Sequence, residues 1–233
     1  MSFGHPHRHY LRTDSTNTRA RELAAAGAPH GTVVTAAEQT EGRGRQGRVW
    51  TAPAGKALLY SALVRPLEAR HMMLPLAVPL AVAEAAEELA PGVECALKWP
   101  NDVLVGRRKL AGVLIEARPQ DGWAVVGVGL NLSISEDEFP PELRETATSL
   151  GVENGCAEAA AVLSGRLERW LEAAEQEILA AWRERDALRG REIAWDGGSG
   201  VADGVDDRGY LIVVTAGGER VAVGAGEVHL TRS

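Results

Sequence analysis

Gln39 to Trp50 reads Gln-Thr-Glu-Gly-Arg-Gly-Arg-Gln-Gly-Arg-Val-Trp, with Gly42, Gly44 and Gly47 alternating with Arg43, Arg45 and Arg48. Glycine lets a backbone approach a ligand closely and adopt positive φ. Arginine presents a fixed fork of N–H donors that matches carboxylate and phosphate oxygens. The run reads as a cradle for a small anion that orders on its ligand, with Trp50 placed to lie against a ring. Three further polar clusters punctuate the chain: Asp14–Asn17, Lys98–Asp102 and Arg107–Gly112. Each follows or interrupts a strand-like stretch, where a rigid scaffold can aim side chains into one cleft.

The combined inventory is cationic and amide-rich, with a carboxylate at Asp102, and shows no Ser-His-Asp or Cys-His arrangement. It is suited to stabilising negative charge rather than to supplying a nucleophile. Activation of a carboxylate by ATP has that requirement: two anions meet, a pentacoordinate phosphorus is stabilised and pyrophosphate is neutralised as it leaves. Asp102 is a candidate to help hold the Mg²⁺ that bridges triphosphate oxygens. Lys109 and the arginines are candidates for the carboxylate and the α-phosphate. No Gly-x-x-x-x-Gly-Lys-Ser/Thr occurs, which argues against a P-loop enzyme. Gly42-x-Gly44-x-x-Gly47 does satisfy the dinucleotide-binding expression, but that motif needs a helix opening on its last glycine. Val49 to Gly55 reads instead as extended chain and turn.

Those clusters must be held by a suitable scaffold. The chain has 233 residues, 45% hydrophobic and 24% charged, enough for one large domain or a medium and a small one. A formal net charge of −7, with the positive charge gathered in two short runs, fits a small anionic ligand better than nucleic acid. Cys95 and Cys156 match no metal or redox spacing and read as reduced thiols. With no apolar run long enough for a bilayer and no leader-like start, the expectation is a soluble, cytoplasmic protein with no membrane partner. His5-Pro6-His7-Arg8-His9 invites a metal reading, but nothing nearby completes a ligand set, and a frayed arm leading into a strand is favoured.

Along the chain, Thr18 to Ala26 reads as a helix stopped by Gly27, with one of Asp14–Asn17 as its cap and the others left for a ligand. Thr32–Thr35 and Leu58–Val64 read as strands. Arg70 to Leu89 reads as a helix whose start Pro75 and Pro79 disturb. Val93–Leu97, Val103–Val105, Leu110–Ala117 and Trp123–Val128 follow as strands, the middle pair joined by a longer-loop hairpin over Gly106–Lys109. So many strands with little helix between them argue for a mixed or antiparallel sheet. Ala157 to Leu188 carries one long helical pattern. Beyond Arg189, short apolar segments between Gly- and Asp-rich turns suggest a small barrel that leans on the first domain.

Asp14-Ser-Thr-Asn, Gln39…Gly-Arg-Gly-Arg-x-Gly-Arg…Trp50, Lys98-Trp-Pro-Asn-Asp, Lys109-Leu-Ala-Gly-Val-Leu and Gly127-Val-Gly-Leu-Asn occur in the order and spacing of the biotin protein ligases. With Gly226-Glu227-Val228, the chain resembles that family over nearly its whole length. The resemblance implies an α+β fold: a mixed sheet flanked by helices over residues 1–188, of the class II synthetase-like type, then an SH3-like barrel over 189–233. It implies that biotin and MgATP give biotinyl-5′-AMP, and that biotin then passes to a lysine of the biotin carboxyl carrier domain of acetyl-CoA carboxylase or a related carboxylase. It implies biotin contacts from Ser15, Thr16, Asn17, Gln39, Gly42, Arg43, Gly44, Arg45, Lys109 and Gly112, with Arg45 and Lys109 catalytic. Arg48, Trp50, Lys98, Asn101, Asp102 and Asn131 would face ATP, Asp102 also Mg²⁺, and Trp50 biotin's tail as well. A mainly apolar pocket for the bicyclic ring is expected from Leu110, Ala111, Val113, Leu114, Gly127 and Leu130.

Relatives that repress transcription carry a winged helix before the Asp-Ser-Thr-Asn block. Only a short arm precedes Asp14 here, so a ligase that does not bind DNA is expected. Some relatives carry an arginine where this chain has Thr231, with Arg232 one position on. The family includes monomers and dimers formed through a sheet face, so the resemblance allows a homodimer and no segment of the sequence decides between the two. A lipoate ligase or octanoyl transferase is the nearest rival, the transferase requiring a cysteine beside the site.

Overall fold

The computed structural model describes residues 3–224, 226 and 228–230; Glu227, Thr231 and Arg232 lie outside the described residues. Seven strands form the main sheet: β1 (His7–Thr13), β2 (Val33–Gln39), β3 (Ala57–Val64), β4 (Cys95–Lys98), β5 (Asp102–Val105), β6 (Arg108–Arg118) and β7 (Trp123–Asn131). Their spatial order is β1-β2-β3-β7-β6-β5-β4, with β1 parallel to β2 and every other pair antiparallel, so the sheet is mixed as expected.

Helices cover the two faces differently. Helix α1 (Thr16–Ala25) sets Ala20 and Ala24 against Val34, Leu63, Trp123 and Val125 on one face. Helix α2 (Leu74–Leu89) lies on the other face and is apolar almost all round, because α3 (Cys156–Glu172) packs on its far side. Pro75 falls in its first turn, where a missing N–H costs nothing, and a short 3₁₀ turn (Ala69–Met73) precedes it. The single long pattern expected over 157–188 is instead two helices, α3 and α4 (Glu175–Glu184), separated by extended backbone at Ala173 and Ala174. An unbroken helix of that length would run roughly 48 Å in one direction. The break returns Ile178, Leu179 and Trp182 to the common core.

A second, antiparallel sheet follows: β8 (Glu192–Trp195), β9 (Gly198–Val205), β10 (Leu211–Val214), β11 (Arg220–Val223) and β12 (His229–Leu230), ordered β11-β10-β9-β8-β12. It is the expected SH3-like piece, but among the described residues β11 and β12 are its edges and do not pair, so the barrel is open. Its apolar side (Ile193, Ala202, Leu211, Val213) joins the same core as α2, and Trp99 Nε1 donates to the Gly209 carbonyl at 3.1 Å. Among the described residues, no helix is long and apolar enough to cross a membrane.

Candidate active site

The site is laid out by strand register. Lys98 pairs with Asp102, Asp102 with Gly112, Gly112 with Gly129, and Gly129 with Leu59, one row across five strands. Residues directly opposite in antiparallel strands share a face, here the face that carries α1. The next row, Leu114–Gly127–Ser61, lies beside it. Helix α1 covers the far end of this face through Trp123 and Val125, sets Asn17 of its first turn on Gly127, and leaves the Gly112–Gly129 row to the loop that ends at Trp50.

Glycine is required where these strands meet the Gly42–Trp50 loop. A Cβ on Gly129 would overlap Cε2 of Trp50 and lie 2.7 and 2.8 Å from Cζ2 and Cδ2, and one on Gly112 would lie 3.2 Å from Cζ3. Trp50 thus lies flat on a two-glycine floor, its Nε1 buried with no protein partner. A Cβ on Gly42 would overlap the Trp50 carbonyl, and Trp50 N–H donates to Gly42 O at 3.0 Å, closing the loop's base. Within the loop only a 3₁₀ turn (Arg45–Gly47) forms, and β3 follows. The helix that the dinucleotide motif needs does not follow.

Lys109 owes its aim to a bulge. The register slips between Val103↔Ala111 and Leu104↔Lys109, leaving Leu110 as an extra residue on β6. Leu110 and Ala111 both point into the core beneath α2, and Lys109 is thereby turned onto the site face. Its Nζ lies 2.6 Å from Asp102 Oδ1 and 5.8 Å from the centre of the Trp50 ring. The ion pair is close, yet not aligned as a hydrogen bond, so this buried Oδ1 has no aligned donor. The hairpin before it is a two-residue turn at Gly106–Arg107, tighter than expected.

At the other end, Gln39 Oε1 accepts from the Thr16 backbone N–H at 2.7 Å and from its hydroxyl at 2.9 Å. That bond does the work of a cap: Ser15 occupies the N-cap position, but its side chain makes no capping bond. Asp14 takes no part in the pocket. Burial pushes its carboxyl up, but bonds from Arg19, the Ser15 N–H and Thr13 outweigh this and hold it down at about 2.

The cavity brings together Ser15, Thr16, Asn17, Gln39, Arg43, Gly44, Arg45, Arg48, Trp50, Lys98, Asn101, Asp102, Lys109 and Gly112. Among the described lining residues, five basic side chains face one carboxylate. Two expected residues stand apart. Gly42 borders an outer groove and shapes the loop base. Asn131 is buried and donates to the Thr148 carbonyl at 2.9 Å, which ties down the following segment. Val113, Leu114 and Gly127 line the pocket as expected; Leu110, Ala111 and Leu130 do not, because strand alternation and the bulge send them to the α2 core. Gly129 and His229 were not singled out from sequence. For Gly129 the signal was its place two residues after Gly127; for His229, in the second sheet, there was none.

Neither cysteine lines the cavity. Cys95 is buried, which pushes its thiol up to about 12, and Cys156 donates to the Gly55 carbonyl at 3.3 Å. His7 Nε2 and His9 Nδ1 both contact the Thr35 hydroxyl, at 2.8 and 2.9 Å, so the histidine arm is the first strand.

Residues 10–133 match the biotin/lipoate A/B protein ligase family, and residues 190–230 match the biotin protein ligase C terminal domain. The chain is 39% identical over 240 residues to the biotin–[acetyl-CoA-carboxylase] ligase of Mycobacterium tuberculosis, an alignment covering 94% of this chain and 87% of that protein. It is 38% identical over 147 residues to the bifunctional ligase/repressor BirA of Bacillus spizizenii, covering 60% of this chain but only 45% of that relative. It thus spans less than half of the longer repressor-type protein. The solved biotin protein ligase from Aquifex aeolicus, in complex with biotin and ATP, superposes with a TM-score of 0.82 at 30% identity, covering 97% of this chain and 99% of that one. The chain belongs to the biotin/lipoate A/B protein ligase family.

Proposed function

We propose that the protein activates biotin with MgATP and passes it to a lysine of a biotin carboxyl carrier domain, that of acetyl-CoA carboxylase or a related carboxylase. In the first step a carboxylate oxygen attacks the α-phosphorus, and pyrophosphate leaves. In the second, the carrier lysine's amine attacks the acyl carbon, and AMP leaves. The observation that carries this reading is the convergence of Arg43, Arg45, Arg48, Lys98 and Lys109 on a slot floored by Gly112 and Gly129.

The division of labour follows the charges. Thr16 and Gln39 offer acceptors, and Gln39 Nε2 a donor, matching the alternating N–H and C=O edge of a cyclic urea. Ser15 and Asn17 complete that end, and Gly42, Gly44 and Gly112 let the backbone close on the ring. Lys109 and Arg45 stabilise charge as the carboxylate meets the phosphate, and Arg43 holds the acyl phosphate. Arg48, Lys98 and Asn101 face the triphosphate, and Trp50 covers biotin's tail beside the adenine. Asp102 Oδ1, buried without an aligned donor, fits a contact to Mg²⁺, which would neutralise the triphosphate. Asn131, outside the cavity lining, acts on the nucleotide only by holding its strand end.

Residues 1–188 would form the catalytic module and 189–233 the barrel, working in the cytoplasm. The exposed Leu11 on edge strand β1 suits a homodimer through that side of the sheet, which sedimentation would detect or exclude. The deciding experiment measures pyrophosphate release from MgATP with biotin, lipoate or octanoate as the acid. Release with biotin alone is expected. Release with lipoate or octanoate instead would overturn the substrate, and biotin binding without release would make the protein a sensor.

A further inference from the structure

Behind the end of the cavity lies a chain of polar side chains whose protons do not balance. Asn17 rests over Gly127, where any Cβ would overlap its Oδ1. Its Nδ2 donates to Glu116 Oε2 at 2.8 Å and reaches the Leu114 carbonyl at 3.5 Å; Arg21 donates to Glu116 Oε1 at 3.0 Å. Both neighbours of Nδ2 only accept, so the amide cannot turn over. Its Oδ1 must face Ser61, whose buried hydroxyl is 2.6 Å away. The same hydroxyl lies 2.8 Å from Thr16 Oγ1, which in turn lies 2.9 Å from Gln39 Oε1. Gln39 is fixed likewise, because its Oε1 already takes the Thr16 backbone N–H.

Three oxygen–oxygen contacts therefore share two hydroxyl protons. Asn17 Oδ1 has none of its own and claims that of Ser61. The Thr16 proton is then wanted by both Ser61 and Gln39. An N–H arriving at Gln39 Oε1 from the cavity resolves the conflict, releasing the Thr16 proton to Ser61.

We propose that Glu116, which does not line this cavity and is held by Arg21, is a positioning residue for ligand recognition. By orienting the Asn17 amide it keeps the pocket wall one proton short, and so makes the wall an acceptor for an N–H of biotin's ureido ring. The inference rests on the reading of the cavity as a biotin site and assigns a role to residues behind it.

In Glu116→Gln the new amide can donate to Asn17, which is then free to turn and donate to Ser61, filling the deficit from within. Ser61→Ala removes two of the three contacts and one of the two protons, which leaves the Thr16 proton to Gln39 alone and so fills the deficit at Gln39 by another route. Each variant is expected to raise the KM for biotin about tenfold, the scale of one unmet buried hydrogen bond. The kcat and the KM for ATP should stay within about twofold of wild type. Because both act on one proton, the double variant should also be raised about tenfold rather than a hundredfold. Pyrophosphate release gives all three constants, and thermal melting confirms that each variant is folded. A biotin KM within twofold in Glu116→Gln, a parallel rise in the ATP KM, or additive effects in the double variant would overturn the proposal alone. A wild-type protein that neither binds biotin nor turns it over would overturn it together with the functional reading.

Discussion

Gly129→Ala is the smallest change that tests the architecture of the site. The added methyl would overlap Cε2 of Trp50 and sit 2.7 Å from Cζ2. Carbon atoms in contact prefer about 3.5–4.0 Å, so the indole must retreat by roughly 1 Å. It cannot retreat alone, since the Trp50 N–H is bonded to Gly42 and the Lys109 ammonium lies 5.8 Å from the ring. Overpacking of this kind costs about 1–3 kcal/mol. For a chain of this size that lowers the melting temperature by roughly 3–10 °C. A displacement of about 1 Å in a group that lines the reaction space lowers kcat/KM by about 10- to 100-fold. Gly165→Ala is the control. It lies in the exposed middle of α3 with nothing within 4 Å of the new methyl. It should stabilise by about 0.5–1 kcal/mol and leave activity unchanged. Steady-state pyrophosphate release and differential scanning calorimetry on both variants give the answer. Wild-type kcat/KM in Gly129→Ala would show that Trp50 does not lie on this floor, and the site geometry derived from it would fall.

Lys109→Gln should lower kcat for adenylate formation by roughly 10²–10³-fold, the usual cost of losing a donor to developing negative charge; a loss confined to the ATP KM would move Lys109 to the triphosphate. Asp102→Asn should raise the Mg²⁺ concentration needed for half-maximal rate, and an unmoved Mg²⁺ curve would remove Asp102 from the metal. Asp14 ionises more readily in the folded chain than in the unfolded one, so its stabilisation is complete above the ordinary carboxylate value and is lost as pH falls through about 2. The urea midpoints of wild type and Asp14→Asn should therefore differ by a constant amount from pH 8 to about 5 and converge between about 4 and 2; a gap that persists at pH 2 would refute the Arg19 clamp. Limited trypsin digestion should cut at Arg43–Arg48 faster without biotin than with it, and equal rates would exclude ordering of that loop by the ligand.

Much of the candidate site was legible in the chain because the residues that line the cavity sit in short, contiguous blocks. Gly42–Arg48 carries glycine where the backbone closes on Trp50 and arginine where the loop lines the cavity, and both show in residue type alone. Asp14–Asn17 and Lys98–Asp102 were likewise recognisable as polar clusters, and their five-block order carried the family. The second sheet was visible because its turns are spelled in glycine and aspartate.

The tertiary structure decided what depends on which side of a strand a residue faces. All nine residues of β7 are buried, so no polar–apolar alternation tells Gly127 and Gly129, on the cavity face, from Val128 and Leu130, in the core. One extra residue at Leu110 reverses the face of Lys109, and nothing in Lys-Leu-Ala-Gly announces it. The break at Ala173–Ala174 has no glycine or proline to mark it; it exists because α4 must return to the core. Glu116 and Asn17 are 99 residues apart and meet only through register. A sequence thus determines which groups are available, while strand register, set by cooperative packing of both faces, determines which of them meet.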